Sequence, residues 1–227
     1  MGTLKASFHF YSRNVEYLML LSFSILLPLL VVHLVVTNVV YRLYQGTPFT
    51  FYGDITNSFF MLLIFVIAQL PFIRYVWNDL EGEEKKLGPA YLTSLEQGLP
   101  VFGFALIYVL ATMIGSALFI LPGLAILVLL FLTPYVSVIK QKPVRKSWRE
   151  ALRWGKKKFF PLLGLILFIS IAEWLISFVS MNGISLITKN YGAIVGSQLL
   201  ISVLSFPFLV IYTTLTFQKW QGQSTGL

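Results

Sequence analysis

The feature that most constrains the fold is a run of 41 residues, 99–139, without a charged side chain. As one α-helix it would be about 61 Å long, because each residue adds about 1.5 Å. The hydrocarbon core of a bilayer is about 30 Å thick, so the run is long enough to cross it twice. Leu121, Pro122 and Gly123 lie near its middle, and proline and glycine favour a turn. We predict a tight helical hairpin with its turn there; one long buried helix or a re-entrant segment is the alternative.

Four further apolar runs are each long enough to cross a bilayer. Hydrophobic residues make up 57% of the chain and charged residues 11%, whereas soluble domains are about 25% charged. We therefore predict an all-α fold, a polytopic membrane helical bundle that forms one integral membrane domain over residues 1–227. Its six spans are predicted at residues 17–40, 57–76, 99–120, 124–139, 159–180 and 193–217.

The Lys and Arg residues flank these spans unequally. Cytoplasmic loops of membrane proteins carry an excess of basic residues. With the N-terminus inside, only Arg42 and Lys189 of the 17 basic residues lie outside. The pattern predicts a multi-pass protein of the cytoplasmic cell membrane with both termini in the cytoplasm.

A basic segment, residues 140–158, joins the fourth and fifth spans. Its nine basic residues oppose only Glu150, so its local charge equals the net charge of the whole chain, +8. Apolar residues recur in it at helical spacing, which predicts an amphipathic helix over about residues 144–158 with a basic face. The predicted apolar stripe consists of Val144, Trp148, Ala151, Leu152 and Phe159.

Two details of this segment predict how the helix starts and where it lies. Ser147 and Glu150 have the spacing of a capping box. A basic amphipathic helix of this kind lies among lipid headgroups, with Trp148 and Trp154 as interfacial anchors. The alternative is a segment that only sets topology, and the face is too short to favour nucleic-acid binding. The predicted surface for anionic lipid or a partner protein consists of Lys142, Arg145, Lys146, Arg149, Arg153, Lys156, Lys157 and Lys158.

Similar segments precede the first, third and fifth spans. Each begins with a serine, at Ser7, Ser94 and Ser147, and each is followed by two spans. The pattern indicates three repeated helical hairpins, each introduced by a short cytoplasmic amphipathic helix. With all three introducing helices on one side of the membrane, the repeats would be parallel rather than inverted.

A few polar residues fall within the outer half of the predicted spans. Ionisable groups there usually face the bundle interior or a water-filled cavity. We therefore predict a polar pocket; the alternative is that Glu173 is protonated or hydrogen-bonded and only holds the bundle together. The candidate pocket residues are His33, Thr112, Ser116, Glu173 and Gln198.

Several classes of chemistry lack the residues they need. The chain has no cysteine and two histidines, which excludes disulfides and thiolate sites and leaves little for a metal site. No phosphate-binding loop or dinucleotide motif occurs in the sequence. We predict no enzyme activity, no cofactor and no metal. An acid–base pair of His33 and Glu173 acting on lipid is the remaining enzymatic alternative.

Residues 122–167 combine a Pro-Gly pair, a span ending in Pro-Tyr, a Ser-x-x-Glu-Ala-Leu helix and a basic run before the next span. This arrangement resembles bacterial membrane proteins of the glycerophosphodiester phosphodiesterase membrane-domain type and related six-helix families. In those enzymes catalysis belongs to a separate soluble domain. The resemblance implies an all-helical domain of the cytoplasmic membrane and transfers no catalytic residue to this chain.

These features together predict a non-enzymatic protein of the bacterial cytoplasmic membrane. It would act in envelope homeostasis, or as a membrane subunit that binds lipids or a membrane or cytoplasmic protein. The alternative is a transporter or permease subunit with a polar pocket around Glu173, working with a separate ATPase.

Overall fold

The computed structural model describes residues 2–225, and helices are the only regular secondary structure in that range. The elements in chain order are α1 (Thr3–Arg13), α2 (Val15–Leu21), a π-helical turn (Ser22–Leu26), α3 (Leu27–Tyr44), α4 (Phe51–Leu80), α5 (Leu87–Leu118), α6 (Ile120–Leu130), α7 (Thr133–Ile139), α8 (Val144–Lys157), α9 (Phe159–Ile187) and α10 (Tyr191–Thr225).

Six helical segments in residues 2–225 are long and apolar enough to cross a membrane. This confirms the predicted all-α, polytopic membrane bundle with six transmembrane helices. All six are longer than the predicted spans, in most cases because the helix continues past the apolar core into polar residues. The segments are Val15–Tyr44, Phe51–Leu80, Leu87–Leu118, Ile120–Ile139, Phe159–Ile187 and Tyr191–Gly222.

The chain divides into two compact units, and Pro28–Phe159 forms one of them. Within this unit α4 packs against α5 and α7, and α5 packs against α6. The C-terminal half of α4 supplies several of the large, fully buried side chains of this core, among them Phe72, Ile73 and Tyr75. At the other end of α4, Gly53 lies against the ring of Tyr41, so residue 53 has no room for a side chain.

The other unit consists of Met1–Leu27 and Phe160–Leu227. Here α10 packs against α1, α2 and the π-helical turn. The Tyr11 hydroxyl donates a hydrogen bond to the carbonyl oxygen of Leu204 (3.0 Å), and its ring meets Phe208 edge-on. Burial raises the pKa of Tyr11, so the hydroxyl stays protonated and remains a donor.

The uncharged run forms the predicted hairpin, and its turn is a single residue. Phe119 has an extended backbone between α5 and α6, and the two helices pack against each other. The turn therefore precedes the predicted position at residues 121–123. Gly123 lies inside α6, where a Cβ would collide with Ser116. The glycine thus permits close packing of the hairpin rather than the turn itself.

The segments that precede the first, third and fifth spans differ from one another. α1 and α8 are separate helices that end before their spans, at Arg13 and Lys157. α5 instead continues without a break from Leu87 through Pro100 into the span. A separate amphipathic helix before the third span was therefore a wrong prediction, and the threefold repeat stays a prediction.

Candidate functional site

The inner face of α8 consists of small or β-branched residues. Val144, Ser147, Ala151 and Gly155 are buried, at spacings of three and four residues that place them on one side of the helix. This side packs against α6 and α7. The predicted stripe was partly wrong, because Trp148 is 37% exposed and the serine and the glycine are buried instead. Small residues let the backbone of α8 approach the hairpin more closely than tryptophan could.

At Gly155 the backbone of α8 lies close to the backbone of α6. A Cβ at this position would lie 2.7 Å from Cα and 2.9 Å from the carbonyl carbon of Leu129. These are backbone atoms, which cannot rotate away as a side chain could. Any larger residue at position 155 must therefore displace α8 from α6.

α8 begins differently from the prediction. Its first residue is Val144 and its N-cap is Pro143, so Ser147 lies inside the helix. The Ser147 hydroxyl donates to the Pro143 carbonyl oxygen (3.2 Å), a back-bond typical of serine within helices. The predicted capping box was thus wrong. Glu150 instead forms ion pairs with Lys140 and, at 4.0 Å, with Lys142.

The outer face of α8 is basic. Two of its cations lie over neighbouring tryptophan rings: Arg149 over Trp148 and Lys157 over Trp154, each 5.6 Å from the ring centroid. Glu150 pairs with two lysines that precede the helix, Lys140 and Lys142. Of the predicted surface, Lys158 is half-buried, and the exposed members are Lys142, Arg145, Lys146, Arg149, Arg153, Lys156 and Lys157.

Residues just before α8 form hydrogen bonds with α4 and α5 of the same unit. The Ser137 hydroxyl is 3.1 Å from the Gln97 side-chain oxygen on α5 and 2.8 Å from the Lys142 carbonyl oxygen. With its amide oxygen turned towards Arg74 of α4, Gln141 accepts two hydrogen bonds from the guanidinium, at 2.7 and 2.9 Å. Sequence reasoning missed both contacts, because each joins residues about 40 or more positions apart.

Three residues of the predicted polar pocket lie in the unit Pro28–Phe159. His33 Nε2 is 2.9 Å from Oδ1 of Asn57, a partner that sequence reasoning missed although both side chains fall in predicted spans. The Thr112 hydroxyl donates to the Tyr108 carbonyl oxygen of its own helix (2.8 Å). Ser116 is exposed beside Gly123. Each of these groups therefore has a local contact within its own helical hairpin.

The other two pocket residues lie in the other unit. Glu173 is half-buried on α9 and Gln198 is half-buried on α10. Most of the neighbouring side chains on α9 are large, apolar and exposed, among them Trp174 and Leu175. The five-residue pocket stays a prediction. Within residues 2–225, no group of three or more His, Asp or Glu side chains is arranged to hold a metal ion.

An apolar groove lies between α5, the end of α6 and the first turn of α8. It has a volume of about 1010 Å³, at the upper end of the range of about 300–1,000 Å³ for small-molecule sites. Its walls are apolar apart from Arg145, and Trp148 lies beside that arginine. Sequence reasoning did not find this groove, because its walls come from segments about 40 residues apart in the chain.

No family model matches the chain, and neither the curated proteins nor the solved structures yield a match.

Proposed function

We propose that this chain is a non-enzymatic, multi-pass protein of the bacterial cytoplasmic membrane that binds anionic lipid through the basic face of α8. In that role it would serve envelope homeostasis, or act as a membrane subunit that holds lipid or a partner protein. One observation carries the proposal: α8 is packed against the membrane hairpin through small residues, and its basic face remains exposed.

The electrostatics of this face favour lipid headgroups. Each Lys or Arg close to an anionic membrane surface contributes about 1 kcal/mol of attraction. Glu150 neutralises lysines upstream of the helix, and among residues 2–225 no carboxylate pairs with Arg145, Lys146 or Arg153. The aromatic rings of Trp148 and Trp154 sit beside these charges, and tryptophan prefers the headgroup level of a bilayer.

The packing of α8 also favours binding. A free basic peptide must fold into a helix when it meets a membrane, and this ordering opposes binding. Here α8 is held in place before any lipid arrives, because Gly155 packs against α6 and Ser137 hydrogen-bonds to the Lys142 carbonyl oxygen. The resemblance of residues 122–167 to the membrane domains named above agrees with a membrane role without catalysis.

The test measures lipid preference around the intact protein. The full-length chain is reconstituted in vesicles, and spin-labelled phosphatidylglycerol or phosphatidylcholine reports the motionally restricted lipid by electron paramagnetic resonance. We expect a preference for phosphatidylglycerol that replacement of Lys156, Lys157 and Lys158 by glutamine weakens clearly. The preference should also weaken at high salt, which screens exposed charges.

The matched control removes the same charge elsewhere. Lys5, Lys85 and Lys189 are exposed and lie outside α8, so their replacement by glutamine should leave most of the preference intact. An equal loss in both triple variants would indicate a general effect of net charge. An unchanged preference in the α8 variant at low salt would refute the proposed function.

A further inference from the structure

The apolar groove described above runs along one face of α5. It follows α5 from Leu99 to Ile107, which is about 12 Å along a helix. Both side chains are largely exposed, at 79% and 72%. Leu130 of α6 forms the opposite wall. These surfaces would be unfavourable in water and suit a hydrocarbon neighbour.

One end of the groove lies near a membrane boundary. From Leu99 to Leu118 the uncharged part of α5 is about 28 Å long, close to one hydrocarbon thickness. The Ser137 hydrogen bonds to Gln97 and to the Lys142 carbonyl oxygen place the start of α8 beside this end. The groove therefore extends from the first turn of α8 into the hydrocarbon region, towards Ile107.

The chemistry of the groove changes along its length. Its deep part is apolar, and Arg145 provides the only charge in its lining. Arg145 is exposed and has no carboxylate partner among residues 2–225. A guanidinium pairs well with a phosphate through two parallel hydrogen bonds. The occupant that matches both ends is a molecule with a phosphate head and a hydrocarbon tail.

We propose that this groove binds one anionic phospholipid, with an acyl chain along α5 and its phosphate against Arg145. The inference deepens the proposed function and rests on it, because it assigns one defined lipid site beside the general basic face. Trp148, at the same end of the groove, would lie at the level of the lipid's glycerol and ester groups.

Gly103 offers a way to fill the groove without disturbing the protein. It lines the groove, and a Cβ added to it would meet no other atom within 4 Å. Gly98 on the same helix is equally open but lies outside the groove. Gly103→Leu and Gly98→Leu therefore make the same change in α5, and only the first occupies the space of the acyl chain.

The experiment measures the dissociation constant of the first bound lipid by native mass spectrometry of the full-length protein in detergent, with phosphatidylglycerol and phosphatidylcholine of equal chain length. Gly103→Leu should weaken phosphatidylglycerol binding roughly 15-fold, because it displaces about two methylenes and each is worth about fourfold. Arg145→Gln should weaken it about fivefold, the loss of one basic contact. Gly98→Leu should bind as the unchanged protein does.

The outcomes separate this inference from the proposed function. If Gly103→Leu binds phosphatidylglycerol as tightly as the unchanged protein, the groove is not the site, and loss of preference in the lysine triple variant would still uphold the proposed function. Unchanged phosphatidylglycerol binding in Arg145→Gln would overturn the role of Arg145, and equal binding of phosphatidylcholine and phosphatidylglycerol would overturn the preference for an anionic lipid. If the lysine triple variant also keeps its preference, both proposals fall.

Discussion

Gly155→Ala tests whether α8 is held by close backbone packing. The new Cβ would collide with Leu129, whose Cα and carbonyl carbon would lie 2.7 and 2.9 Å away. Real Cβ atoms do not approach other atoms so closely, and the obstacle is backbone. The substitution must therefore move the C-terminal half of α8 away from α6, and the burial of Ala151 would decrease with it.

Two opposing effects determine the expected magnitude. Alanine is a better helix former than glycine by about 1 kcal/mol, which favours the variant. Overpacking a close contact costs about 1–3 kcal/mol, and the upper part of that range, about 2–3 kcal/mol, applies here because no side chain can rotate to relieve the contact. We expect the docked state of α8 to be destabilised by about 1–2 kcal/mol. Gly164→Ala is the matched control, because Gly164 lies in α9 with no atom within 4 Å of its added Cβ.

The assay uses the absence of cysteine from the chain. Ser147 is fully buried on the inner face of α8. The thiol of a Ser147→Cys variant therefore reacts with a maleimide only when α8 separates from the helices it packs against. Adding Gly155→Ala should raise the labelling rate roughly 5–30-fold, the factor that corresponds to 1–2 kcal/mol. Adding Gly164→Ala should leave the rate unchanged. Equal labelling rates with and without Gly155→Ala, together with unchanged thermal stability, would refute the packing argument.

Two further predictions concern groups within the spans. Tyr108→Phe removes the hydrogen bond from the tyrosine hydroxyl to the Leu127 carbonyl oxygen (2.7 Å). Unfolding of the purified protein in detergent should show a free energy of unfolding lower by about 0.6–1.7 kcal/mol. Tyr191→Phe, at an exposed position, should leave the free energy of unfolding unchanged. Glu173→Gln tests the transport alternative: the proposed function needs no charge at this position, so vesicles containing either protein should lose a pH gradient at the same rate. A proton leak that the unchanged protein has and the variant lacks would favour transport.

The hairpin shows how far sequence reasoning reaches. The uncharged run at residues 99–139 predicted two spans, and the structure confirms two spans there, with α5 of the first packed against α6 of the second. The turn was misplaced because Pro122 and Gly123 were interpreted only by their turn preferences. Gly123 in fact permits contact with Ser116 across the hairpin, a role that becomes visible only when the partner helix is in position.

The same limit applies to α8. Hydrophobic periodicity predicted an amphipathic helix in this segment, but it considered only the apolar residues and placed Trp148 on the buried side. The structure buries Ser147 and Gly155 instead, because the contact is with a helix backbone and closeness excludes large side chains. A hydropathy pattern contains no information about how near the neighbouring helix lies.

By itself the sequence determined the all-helical membrane fold, its six apolar spans and the position of the basic segment. These follow from local physical requirements, because a span needs about 20 apolar residues and every backbone polar group in lipid must be bonded within its own helix. The tertiary structure alone decided which face of α8 is buried, that Glu150 pairs with Lys140, and that α5, α6 and α8 enclose an apolar groove beside Arg145. Each of these depends on segments distant in the chain meeting in space, which local patterns do not encode.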